Sequence, residues 1–308
     1  MFRLTPLLGL FVAALAGAQA EPLPDLPDPL GRAGMMAAVL READGREVIV
    51  AAGGTNFPDK MPWQGGQRKY HKDVLKLSRK DGIWSWHKIG DLPEGLVGAA
   101  FCPTPKRDGL VIAGGASAEG HRADVWLVGL DGKVTRFAES MARPRAYAGF
   151  TSANGHLIVI GGIARPDDMT TIQTLTSLDL DDPDKPWRTS DADPSFGRII
   201  PLVGAGLRKL VWGGGCSLSE KDGKPFRSYH ENLAYQSTNG EGNRFHGLPY
   251  KLAGAAGPGL LTETHLFFVG GDDGTQYGQP YETHTGLARR ILVMDLETFE
   301  VTDVGEWP

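Results

Sequence analysis

Very little of this sequence repeats at the 3.6-residue spacing of a helix, which argues against an α-helical or α/β fold from the outset. Cysteine is scarce. Cys102 and Cys216 are the only two, too few for a disulfide framework, and they lie far apart in the chain. No C-x-x-C or H-x-x-x-H spacing is present, so no metal site is expected. Basic runs are missing too. With Lys+Arg 32 against Asp+Glu 37, the formal charge of −5 argues against a surface that grips nucleic-acid phosphates. Long apolar runs are absent except at the N-terminus. There Arg3 precedes an apolar stretch from Leu7 to Leu15, followed by Ala18-Gln19-Ala20. The stretch falls short of the ~20 residues that a membrane span needs. It has the charge, core and small-residue ending of a signal peptide over residues 1–20, cleaved after Ala20. Residues 21–308 are then expected to be exported, periplasmic or secreted, as one domain with no remaining span.

Glycine and proline are plentiful, at 42 and 21 residues, as many strands joined by turns require. One phrase recurs: "VIVAAGG", "LVIAGG", "LIVIGG", "LVWGGG" and "LFFVGG", ending at Gly54, Gly115, Gly162, Gly215 and Gly271. The spacing, 47 to 61 residues, and the strand closed by Gly-Gly match a kelch-type repeat. Around each phrase the unit is the same. A strand of small residues comes before it, such as "RAYAGFTS". A variable loop comes after it, then a third strand such as "DVLKL" and a fourth such as "WSWHKI". Four strands make one propeller blade. The expected fold is all-β, a kelch-type β-propeller of four-stranded blades, with five blades visible. The inner strand lines a crowded axis and favours Gly and Ala. The second strand is buried on both faces between blades, hence its unbroken apolar run.

Function in such a fold sits on loops at one end. The loop over residues 53–73 carries Asn56, Asp59, Lys60, Trp63, Gln67, Arg68, Tyr70 and His71, more polar and aromatic groups than packing requires. A second, after Gly271, carries Asp272, Asp273, His284 and Arg289. A third carries Glu119, His121 and Arg122. Plainer roles compete with these: Asp59 and the Asp272-Asp273-Gly274 run are turn formers in their own right.

The stretch "GGTNFPDKMPWQGG", the following "KYHKD", the later "GGDDG" and the opening "LPDLPDPLGRAGMMAAVL" together resemble the bacterial N-acetylneuraminate epimerases, in their cyclically permuted branch. The resemblance runs from about Leu23 to Pro308. It implies a six-bladed kelch propeller that interconverts the α and β anomers of sialic acid by acid–base ring opening, without metal or cofactor. It also implies a catalytic glutamate in a "GE-x-x-x-G-x-R" segment, and no residue here matches that segment in register. The chain is therefore expected to lack a sixth blade. Glu119 and His121 remain as the nearest candidates for the acid–base role.

The chemistry narrows the ligand side chains. A sugar carboxylate calls for a guanidinium, which can bind both oxygens. Arg68 and Arg198 are candidates, as are Arg143 and Arg145. Hydroxyls call for Asn56, Lys60, Asp272 and Asp273, and an apolar sugar face for Tyr70 or Trp63. The expected partner is a small acidic sugar. The alternative is a non-catalytic glycan-binding or interaction propeller. A copper oxidase on the same scaffold would need a Tyr–Cys crosslink, and Cys102 lies in an inner strand rather than in a ligand loop.

Overall fold

The computed structural model describes residues 22–237, 244–254 and 256–307. The expected signal peptide and its cleavage site lie outside the described residues. Five four-stranded antiparallel meanders follow one another along the chain. The first blade is Met36–Arg41, Glu47–Ala52, Asp73–Lys80 and Ile83–Asp91. The second is Ala100–Pro103, Gly109–Ala113, Val125–Gly129 and Val134–Ala138. The third is Gly149–Ala153, His156–Ile160, Leu175–Asp179 and Arg188–Thr189. The fourth is Leu202–Gly206, Lys209–Gly213, Asn232–Ser237 and Arg244–Gly247. The fifth is Ala256–Leu261, His265–Gly271, Ala288–Asp295 and Val301–Glu306. First strands of successive blades pack against one another around the axis. This is the propeller expected from the repeat.

Apolar residues bury themselves between blades. Met36, Leu40, Val48 and Val50 of the first blade pack with Leu110 and Ile112 of the second. Leu202, Val211 and Leu233 of the fourth pack with Leu266, Phe268 and Leu292 of the fifth. These side chains are almost fully buried; truncating one such leucine to alanine costs about 2–5 kcal/mol. Cys102 and Cys216 are free and buried among such residues. Burial pushes both thiols up to about 12.

The Gly-Gly pairs fasten each blade to the next. The second glycine's N–H donates to a carbonyl at the start of the following blade. The bonds are Gly54 to Leu96, Gly115 to Arg145, Gly162 to Arg198 and Gly215 to Leu252, at 2.7–2.9 Å. The first glycine lets that carbonyl come close. A Cβ on Gly161 would stand 2.3 Å from the Arg198 oxygen, and one on Gly214 2.3 Å from that of Leu252. Both glycines of each pair are left-handed, a conformation only glycine adopts freely.

The inner strands begin later than the sequence suggests. The first residues of "RAYAGFTS" and its equivalents do not extend; they bridge to the residue after Gly-Gly, as in Ala146 with Ile163, and then turn. The turning residues are Gly34, Gly98, Tyr147, Ile200 and Gly254. Each after the first donates its N–H to its predecessor's carbonyl: Gly98 to Gly34, Tyr147 to Gly98, Ile200 to Tyr147 and Gly254 to Ile200. The result is a belt about the axis beneath the loops.

Candidate functional site

The loops between second and third strands collect above this belt. Three are stiffened into short hairpins: Thr55–Asn56 with Lys69–Tyr70, Ala116–Ser117 with Gly120–His121, and Cys216–Lys221 with Lys224–Tyr229. Together with the loop after Gly271 they enclose a cavity of about 1190 Å³, somewhat larger than the ~300–1,000 Å³ usual for small-molecule sites. Its floor includes Ala116, Ile163 and Ile200. Its walls carry Arg68, Tyr70, His121, Tyr147, Asp168, Arg227, Tyr229, Asp272 and Tyr277.

The two arginines form no ion pair among the described residues. Arg68 lies over the rings of Phe57 and Tyr70, at 5.5 and 5.9 Å, and its Nη1 is 3.5 Å from the Tyr147 hydroxyl. Arg227 extends from the long hairpin, where Phe226 and Tyr229 pack on Tyr277. The acids, by contrast, are engaged. Asp168 accepts from the Ala164 and Arg165 N–H groups and from Arg165 Nε. Burial works to raise its pKa, but these bonds hold it below the usual carboxylate range. Asp272 accepts from the Tyr229 hydroxyl at 2.5 Å and from the Gly274 N–H. Burial, and then that bond, push the Tyr229 phenol well above its ordinary range.

His121 is a further titratable group on the wall. It is buried, with Nδ1 3.3 Å from the Ile163 carbonyl. Burial lowers its pKa, so the ring is neutral near pH 7. Nδ1–H donation to that carbonyl leaves Nε2 as an acceptor. Its ring meets that of Tyr147 edge-on, 5.7 Å between centroids. Among the described residues no group of three or more His, Cys, Asp and Glu could hold a metal ion.

Of the residues singled out in the sequence, Arg68, Tyr70, His121, Asp272 and His284 meet at the cavity. The others do not. Asn56 bonds inward, to Asp28, Gly31 and His71, pinning the N-terminal segment to the first hairpin. Lys60 is exposed away from the cavity. Asp273 caps its own turn through Thr275. Glu119 points to solvent beside Arg122. Arg198 is a strand staple, its Nη2 donating to Asn232 at the start of a third strand. Arg32 makes the same reach to Asp73 and Arg145 to Thr174. Leu96 and Leu252 occupy the equivalent position in the other two blades, so Arg198 faces the space between strands rather than the axis.

The wall residues missing from the sequence reading are Tyr147, Asp168, Arg227, Tyr229 and Tyr277. Two signals pointed to them. Tyr147 stands where three other repeats have glycine. Arg227 and Tyr229 alternate along one strand, so they share a face.

No protein-family profile and no curated protein sequence matches the chain. Solved structures do. One, described as "Structure of YjhT", aligns with a TM-score of 0.71 at 14% identity, covering 92% of this chain and 88% of that one. At that identity the likeness is one of fold.

Proposed function

We propose that this protein binds an acidic monosaccharide of the N-acetylneuraminate class in the cavity and speeds the exchange of its anomers. The observation that carries the reading is the pair of wall arginines, Arg68 and Arg227, that no carboxylate neutralises among the described residues. Tyr70, Tyr147, Tyr229 and Tyr277 supply flat faces and hydroxyls for a sugar. The resemblance of the 53–73 loop to the epimerases, and the shared fold, point the same way.

His121 acts as the base. Its Nε2 takes the proton of the anomeric hydroxyl as the bond from the anomeric carbon to the ring oxygen breaks. The ring oxygen takes a proton from water in the open funnel. The open-chain keto acid then recloses from either face. Such a base contributes ~10²–10⁴-fold. The test is anomer exchange of N-acetylneuraminate followed by NMR. Acceleration by the parent, falling at least tenfold in His121→Gln, supports the reading; a parent no faster than buffer refutes it.

A second reading rests on the engaged acids. Asp168 and Asp272 are both tied to partners and Glu119 lies off the cavity, so among the described residues no free carboxylate lines it. That arrangement suits a propeller that binds an acidic glycan without turning it over. Saturable binding with no rate effect would select it.

A further inference from the structure

Five repeat positions form the belt beneath the cavity, and all five are left-handed. Gly34, Gly98 and Gly254 have φ of 64, 62 and 64°. Tyr147 and Ile200 have φ of 57 and 45°. For a residue with a side chain that conformation is strained, and three blades avoid the strain with glycine. The two that do not are the two whose side chains at this position line the cavity. Strain kept at a site where a simpler residue fits is a pointer to use.

Tyr147 has a definite partner. Its hydroxyl is 3.5 Å from Arg68 Nη1, long for a hydrogen bond, and the ring lies over Gly98, where a Cβ would stand 2.8 Å from it. The guanidinium donates to the phenol oxygen, so the phenol's own proton is free to point elsewhere. We infer that Arg68 and Tyr147 form one receptor for a ligand carboxylate, and that Tyr147 is held left-handed to complete it. Guanidinium N–H and phenol O–H then donate to the two carboxylate oxygens. Burial keeps the phenol protonated at neutral pH.

This deepens the mutarotase reading and rests on it for one step. In N-acetylneuraminate the carboxylate and the anomeric hydroxyl share a carbon. A carboxylate held by Arg68 and Tyr147 sets that hydroxyl beside His121, whose ring touches Tyr147. Tyr147 is thus a binding and specificity residue.

The experiment is calorimetric titration of the parent, Tyr147→Phe and Tyr147→Gly with N-acetylneuraminate and with its methyl ester, alongside melting curves and NMR anomer exchange. The parent is expected to prefer the acid at least tenfold. Tyr147→Phe, which keeps the ring, loses about tenfold in affinity for the acid and little for the ester, the fold-change of one hydrogen bond to a charged group. Tyr147→Gly loses as much or more yet melts within about 5 °C of the parent, because glycine relieves the strain. Equal affinity of the parent for acid and ester, no binding of the acid, or unchanged acid affinity in Tyr147→Phe would each overturn the receptor. A parent that prefers the acid but does not speed anomer exchange overturns the catalytic reading and leaves the receptor standing.

Discussion

The first four Gly-Gly pairs and the fifth have the same sequence and different surroundings. Gly54, Gly115, Gly162 and Gly215 each donate to the next blade. At the fifth pair, a Cβ on Gly270 would meet nothing nearer than the Ala288 carbonyl of its own blade, at 3.2 Å. Among the described residues Gly271 makes no such latch. Where fifth and first blades approach, the contact is between loops: Trp63 stacks on Tyr281 with centroids 4.7 Å apart. The motif latches at each of the four seams where one described blade follows another. The four latched seams are scaffold, and the loops above them are free to differ.

The comparison can be broken at one residue. Gly161→Ala places a methyl 2.3 Å from the Arg198 carbonyl and strains a left-handed position. It should cost about 3–5 kcal/mol in denaturant unfolding. Gly270→Ala, at φ 69° with a milder approach of 3.2 Å to the Ala288 carbonyl, should cost only about 1–2 kcal/mol. Equal losses would show that the latch adds nothing to the turn.

The arginine staples come next. Arg145 is 3% exposed and donates to the carbonyls of Val159 and Thr174 and to the Thr174 hydroxyl. Burial pushes its pKa down to about 10, so it keeps its charge below that pH. Arg145→Leu should destabilise by about 2–3 kcal/mol, mostly through the acceptors left unpaired.

Acid should loosen two seams more than the others. The backbone N–H groups of His71 and His230 donate to the carbonyl of the second glycine of the first and fourth pairs, which seats the two imidazoles beside those seams. Arg122 and Ile172 do so at the second and third. Burial, with Arg198 and Lys251 nearby, lowers His230 to about 4; burial and Arg32 also lower His71. Because the folded pKa lies below the unfolded one near 6.5, the unfolded chain binds more protons between about pH 4 and 6.5. Stability is full above that window and falls as pH drops through it. For half-buried His230 the loss is roughly 1–2 kcal/mol. His230→Gln should flatten the profile by that amount; an unchanged profile would remove His230 from the account.

The smallest effect is expected at Arg198→Leu. Two equivalent positions already hold leucine, so stability should change by less than about 1 kcal/mol, and affinity for N-acetylneuraminate should not change. A loss of affinity would return Arg198 to the ligand-binding set.

The propeller was legible because its signal is local: an apolar strand closed by glycines needs no distant partner to be recognised. The belt was not, since Tyr147 and Ile200 stand where glycine marks the other repeats and so hide the turn. At the site, Arg68, Tyr70, His121, Asp272 and His284 were legible as loop residues of the right chemistry. Asn56 and Asp273 are of equally suitable type, but they satisfy neighbouring backbone and side chains. That competition is settled by distances of a few ångströms across the chain. Arg198 misled for a simpler reason, because the repeat position that seemed to face the axis faces the gap between strands.

The latches have a spectroscopic consequence. The amide protons of Gly54, Gly115, Gly162 and Gly215 each report on a single boundary between neighbouring blades. Their exchange with deuterium is governed by the opening of that boundary alone or by the unfolding of the whole. Four separate opening energies can therefore be read along one chain, each telling whether a blade parts from its neighbour before the ring gives way.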